Sequence, residues 1–153
     1  MNGEEIVRAY SDMIYKIAMR YTRNQYDAED VLSETFLTYF KKERQFESEE
    51  HRKAWLIKVT INTAKDLLSE RTYDEELTEE RLDTHEYHPA TDDVLALREA
   101  ILRLPEHQRE VITLFYMQDL PIERIAEILD KNKNTVAVTL MRAKENLRKY
   151  LES

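Results

Sequence analysis

The sequence predicts an all-α protein with two small helical domains, a helical bundle and a helix-turn-helix domain, joined by an acidic linker. Glycine and proline, which helix interiors exclude, are nearly absent: Gly3 stands alone, with Pro89, Pro105 and Pro121, among 153 residues. Apolar residues recur at the helical period through most of the chain. The charge excess is confined to one segment: the net charge is −8, and residues 73–93 alone carry 1 basic and 9 acidic side chains.

The elements follow in order. Residues 4–22 place Ile6, Tyr10, Met13, Ile14, Ile17, Ala18 and Tyr21 on one helical face. Arg23-Asn24-Gln25 is a polar turn in which Asn24 can cap the next helix. Residues 27–42 form the second helix, acidic at its start (Asp27, Glu29, Asp30) and basic at its end (Lys41, Lys42), as the helix dipole favours. Its apolar face is Val31, Leu32, Phe36, Tyr39 and Phe40. Residues 43–50 are a charged connection containing Phe46, and Ser48 can cap a third helix over 49–70 with Trp55, Leu56, Val59, Thr63 and Leu67 in register. Three amphipathic helices with short connections share one core.

Residues 72–93 break the periodicity and read by composition as a linker. Helices resume over 92–104 and 106–117, with Pro105 at the restart. Residues 120–151 then give two one-faced helices, Ile122, Ile125, Ala126 and Leu129 on the first and Val136, Leu140, Ala143 and Leu147 on the second. Asp130-Lys131-Asn132-Lys133 interrupts them, and Asn132 or Asn134 can cap the second. A small Ala126 at the crossing completes the outline of a helix-turn-helix, which an ordinary helical hairpin would share. The domain boundaries are 1–72, 73–93 and 94–153.

The charge distribution leaves DNA binding open. Residues 1–72 carry 12 basic and 13 acidic side chains, and residues 94–153 carry 10 and 9. Neither part is a strongly basic DNA coat. With no cysteine there is no disulfide framework, thiolate zinc site or cysteine nucleophile. No apolar run reaches the roughly 18 residues of a membrane span, and no apolar leader is present, so a cytoplasmic location is expected. One glycine, at position 3, excludes P-loop, nucleophile-elbow and dinucleotide-binding fingerprints. His85 and His88 fall in the acidic segment, where a chance pair is the expected reading, so no enzyme, metal or cofactor is expected.

Three groups of residues in this order resemble the extracytoplasmic-function (ECF, group IV) sigma factors of the sigma-70 family. They are Asp27-Ala28-Glu29-Asp30-Val31 with Glu34-Thr35-Phe36; Lys53-Ala54-Trp55-Leu56 with Asn62; and residues 104–111 with residues 125–129, Thr135-Val136 and Arg142-Ala143-Lys144. Each alone is weak, and together they are specific. The resemblance implies a sigma-2 domain that binds core polymerase and reads the −10 element. It implies a sigma-4 domain whose helix-turn-helix reads the −35 element. The partners it implies are the β′ clamp helices and β flap of RNA polymerase, promoter DNA and an anti-sigma factor, with no membrane insertion.

By that resemblance Asp27, Asp30, Glu34 and the stretch from Phe36 to Tyr39 face the clamp helices, with exposed carboxylates meeting a basic surface. Phe36 and Phe40 also suit the core, and Ser33 stands where the family often has glutamine. Residues 46–52 match the loop that captures a flipped −10 base, and Phe46, Arg52, Lys53, Lys58 and Asn62 are the −10 candidates. Trp55 is expected in the core. Ile61 replaces a usual arginine, removing a cation from duplex binding. The −35 candidates are Lys133, Asn134, Thr135, Ala137, Val138, Met141, Arg142 and Lys144. Ala137-Val138-Thr139 replaces a Lys-Ser-Arg-like run, so readout leans on thymine methyls, DNA shape and phosphate clamping by Lys133, Arg142 and Lys144. Asp130 and Asn134 stand where the family favours glycine, and both tolerate left-handed backbone. Lys131 replaces a usually apolar residue. The acidic linker would follow the polymerase's nucleic-acid channels.

Two further readings fit parts of the sequence. A sigma-like interaction protein with reduced DNA specificity would explain the missing basic residues. A stand-alone helix-turn-helix regulator would bind a palindrome as a dimer.

Overall fold

A computed structural model of the protein describes residues 2–42, 44–70 and 91–152. These residues form helices and no strand: α1 (Gly3–Thr22), α2 (Gln25–Lys41), α3 (Glu49–Glu70), α4 (Asp92–Arg103), α5 (Glu106–Tyr116), α6 (Ile122–Leu129) and α7 (Lys133–Glu152). They divide into two compact units, α1–α3 and α4–α7.

Local chemistry sets the ends of the helices. The Asn2 side chain accepts from the Glu5 N–H at 2.8 Å and starts α1. Arg23 ends it in the left-handed region at φ 53° and donates its N–H to the Met19 carbonyl. Asn24 then caps α2 as the sequence indicates, accepting from Tyr26 and Asp27 N–H at 2.8 and 3.2 Å. Ser48 Oγ accepts from the His51 N–H and starts α3. Thr91 caps α4 through the Val94 N–H, so α4 begins at Asp92, where the helix over 92–104 was expected. The rest of the acidic segment, with His85 and His88, lies outside the described residues.

In the first unit α1, α2 and α3 pack mutually. One end of the core is Ile6, Ile14, Phe36 and Leu56, bordered by Tyr10, Tyr39 and Trp55. The other end is Ala18, Ala28, Val31 and Ala64, where small residues let the helix axes approach. Ile61 is 2 % exposed and belongs to this core. The position that departs from the family's arginine is thus filled by a core side chain.

In the second unit α7 is the central helix, packed on α4, α5 and α6. Val136, Leu140 and Ala143 form its buried face. Asn146 Nδ2 donates to Oε1 of buried Gln108 at 2.8 Å and ties α7 to α5. Arg103 of α4 lies over the Tyr150 ring at 4.2 Å. α4 itself is shallowly seated, with Val94, Leu95, Leu97 and Leu102 exposed and Ala100 buried.

Candidate nucleic-acid interface

The turn between α6 and α7 is built by one residue in an unusual conformation. Asp130 sits at φ 56°, ψ 48°, where aspartate is among the best-tolerated non-glycine residues. This lets the Lys131 N–H reach the Ala126 carbonyl at 2.9 Å and the Asp130 N–H reach Glu127 at 3.3 Å, a Schellman pair that satisfies the last carbonyls of α6. Lys131 thus acts through its backbone and keeps its side chain in solvent. Asn132 is the cap of α7, its Oδ1 accepting from the Asn134 N–H at 2.7 Å. Asn134 is inside the helix and needs no left-handed backbone.

With Val136, Leu140 and Ala143 turned inward, α7 presents Asn134, Val138, Met141 and Glu145 along its opposite side. Val138 and Met141 are 40 % and 55 % exposed, so the outer face begins with an amide and continues as an apolar step. Thr135 and Arg142 are exposed on one flank, and Ala137 is half-buried on the other. Two of the expected phosphate clamps have internal partners. Lys133 Nζ pairs with Glu123 Oε1 of α6 at 2.9 Å, and the Lys133 hydrogen bond holds the Glu123 carboxyl below its ordinary range. Lys144 Nζ lies 5.4 and 5.6 Å from the Phe115 and Tyr116 ring centroids of α5.

In the first unit the α2–α3 connection is pinned by an aromatic cluster. Phe46 stacks parallel to Tyr39 with centroids 6.0 Å apart, and meets Trp55 and His51 edge-on at 5.7 and 5.3 Å. Arg52 covers Phe46 at 5.3 Å, and Arg44 lies 5.9 Å from the Trp55 centroid. Trp55 is half-buried, joining this cluster at the rim of the core. Arg52 is ion-paired with Glu49, which also accepts from the Tyr10 hydroxyl at 2.6 Å. From this cluster α3 runs on with Lys58 and Asn62 exposed one turn apart, while Lys53 is half-buried. Phe46, just before α3, and Arg52 in its first turn thus sit at one end of the helix, and Lys58 and Asn62 lie farther along it. A surface with aromatic faces, guanidinium groups and an exposed amide can stack an unpaired base and hold its phosphates.

The α2 residues expected at the polymerase separate. Asp30 and Glu34 are exposed and Tyr39 is half-buried. Asp27 is 5 % exposed and Phe36 is 9 % exposed. Phe36 packs with Ile6, Ile14 and Leu56, and Asp27 is buried in the first turn of α2. Phe40, expected inside, is half exposed, as is Leu37. With Ser33 and Glu34 they make an exposed stripe at helical spacing. Leu37 falls within the stretch 36–39 that the resemblance sets against the clamp helices. Tyr10, Glu49, Arg44 and Glu123 were missed from sequence: Tyr10 and Glu49 are 39 positions apart, and Glu123 meets Lys133 from the far end of α6.

Among the described residues no cluster of His, Asp and Glu could hold a metal ion, and no helix is long and apolar enough to cross a membrane. Residues 6–72 match the family Sigma-70 region 2, and residues 95–147 match Sigma-70, region 4. RNA polymerase sigma factor SigV of Bacillus subtilis is 33 % identical over 138 residues, spanning 88 % of this chain and 81 % of the relative. ECF RNA polymerase sigma factor SigW of the same organism is 29 % identical, over 96 % and 87 %. Among solved structures, the sigma factor RpoE of Bartonella quintana, in complex with the anti-sigma factor NepR, superposes with a TM-score of 0.76. It is 22 % identical, with 97 % of this chain and 96 % of that one covered, a likeness of fold.

Proposed function

This chain belongs to the extracytoplasmic-function sigma factors of the sigma-70 family, which direct RNA polymerase to promoters, and we propose that it divides the task between its two units. The unit α1–α3 binds core polymerase and reads the −10 element. The unit α4–α7 reads the −35 element through α7. The observation that carries this division is the pair of unlike surfaces: a helix-turn-helix in one unit and an aromatic, guanidinium-bearing helix end in the other. Unpaired bases need stacking partners, and duplex needs a helix that fits the major groove.

Asp30, Glu34 and Tyr39 are the residues we assign to the β′ clamp helices, with exposed Leu37 and Phe40 supplying the apolar anchor that a docking helix needs. Asp27 and Phe36 support that surface from within. Phe46, Arg52, Lys53, Lys58 and Asn62 are assigned to the −10 strand. Asn134, Thr135, Ala137, Val138, Met141 and Arg142 are assigned to the −35 duplex, with Lys133 and Lys144 beside its phosphates, Lys133 restrained there by Glu123 and Lys144 by the α5 rings. The exposed apolar side chains of α4 are assigned to the β flap. An anti-sigma factor that covers these surfaces is part of the same proposal, supported by the complex of the similar RpoE with the anti-sigma factor NepR.

The protein acts as a transcription initiation factor, and we assign it no catalytic step and a cytoplasmic site of action. Reconstitution with core polymerase and run-off transcription across genomic promoters tests the reading. Promoter-dependent transcripts are expected. Polymerase binding without any such transcript would turn the assignment to an interaction protein, and sequence-specific binding as a free dimer would turn it to a stand-alone regulator.

A further inference from the structure

α1 contributes no residue to the −10 surface described above, yet it reaches it. The Tyr10 hydroxyl donates to Glu49 Oε2 at 2.6 Å. The other carboxylate oxygen, Oε1, is the one that pairs with Arg52. Both oxygens of Glu49 are thus engaged, which fixes the rotation of the carboxylate. Arg52 in turn covers the Phe46 ring, and its side chain is 18 % exposed. Its Nε is buried without a hydrogen-bond partner, so the guanidinium is held by the Glu49 contact and by the ring. A charge-assisted bond from a phenol is short, directional and stronger than a neutral one. Burial raises the Tyr10 phenol above its ordinary range, against the opposing charge of Arg52, so it remains a donor at neutral pH.

We propose that Tyr10 is a positioning residue for −10 recognition: through Glu49 it holds Arg52 on Phe46 and so sets the shape of the surface that meets the unpaired base. The inference rests on the proposed role of residues 46–62 in reading the −10 strand. Tyr10 does not touch DNA. Its effect is transmitted by one carboxylate across the boundary between α1 and α3.

The test uses reconstituted holoenzyme and a single-stranded −10 oligonucleotide, with its base-substituted versions as controls. Tyr10→Phe keeps the ring in the core and removes the donor. It is expected to weaken oligonucleotide binding by about fivefold, the size of one net hydrogen bond, and to reduce discrimination between the matched and substituted oligonucleotides. Thermal stability should fall by no more than the loss of that one bond, and affinity for core polymerase should stay near wild type. Glu49→Gln, which still accepts from Tyr10 but loosens its hold on Arg52, should show the same pattern. Adding Tyr10→Phe to Arg52→Ala should cost nothing further, because the relay ends at Arg52. Additive losses, a Tyr10→Phe effect that tracks lost stability or lost polymerase binding, or an Arg52→Ala variant that binds like wild type would each overturn the positioning role. A wild-type holoenzyme that does not distinguish the oligonucleotides would overturn the −10 reading itself, and this inference with it.

Discussion

Lys133 Nζ and Glu123 Oε1 stand 2.9 Å apart, joining the first turn of the candidate recognition helix to the first turn of α6. Both side chains are more than half exposed, so the pair adds little to stability. Its consequence is for binding: the cation nearest the leading end of α7 is already neutralised. Glu123→Gln is expected to free Lys133 and strengthen −35 binding. It should also steepen the dependence of log K on log salt by about 0.9, the value of one added phosphate contact on duplex DNA. Salt titration of holoenzyme binding to a −35 duplex measures it, and an unchanged slope would mean that Lys133 reaches its phosphate despite Glu123.

The same pair makes a prediction about pH. The hydrogen bond from Lys133 lowers the Glu123 carboxyl below its ordinary 4.5. A carboxyl depressed in the folded state contributes above its unfolded value, and that contribution is lost as pH falls through the folded one. The ion pair should therefore persist at pH 4.5 and break below it. Carboxyl titration by NMR should show the Glu123 midpoint rising toward 4.5 in Lys133→Ala.

Asp130 holds the turn at positive φ, a conformation that penalises most side chains. Asp130→Gly should leave stability unchanged or raise it slightly. Asp130→Val should lower it by about 1–2 kcal/mol, the cost of left-handed backbone at a residue with a Cβ. Urea denaturation of both variants checks the difference.

Gln108 is buried and accepts from Asn146. Gln108→Leu leaves the Asn146 amide facing an apolar neighbour and should destabilise by about 1–3 kcal/mol. A loss of that size should appear in denaturant melts as a lower midpoint for the unit α4–α7. If the midpoint is unchanged, the amide finds water instead.

Much of the fold was legible in the sequence, because one-faced helical patterns and polar caps act locally. The period placed α3 over residues 49–70, and Asn24 and Ser48 marked the starts of α2 and α3 as observed. The left-handed residue at Asp130 was indicated by the family resemblance together with aspartate's tolerance of that backbone, a reading that also included Asn134, which lies inside α7 at negative φ. Burial was less legible. Asp27 looked like a surface carboxylate and Phe40 like a core ring. Which side of α2 meets α1 depends on how the Thr22–Gln25 turn closes, with Thr22 Oγ1 donating to the Asn24 carbonyl at 3.1 Å. The engagement of Lys133 and Lys144, and the link from Tyr10 to Glu49, depend on tertiary contacts that no periodicity encodes. The recognition helix is accordingly sharper than expected in one respect: its outer face is an Asn134, Val138, Met141 stripe, with Arg142 beside it.

The central claim is that two units read two promoter elements, and transcription from templates with one element scrambled tests it most directly. The account predicts that Arg142→Ala lowers run-off transcript from an intact promoter and flattens its salt dependence, yet adds no loss once the −35 element is scrambled. Asn62→Ala should behave likewise toward the −10 element. Losses that stay the same whichever element is scrambled would contradict the division. So would a −35 preference that shifts with Ala137 or Val138 substitutions while Arg142 has no effect.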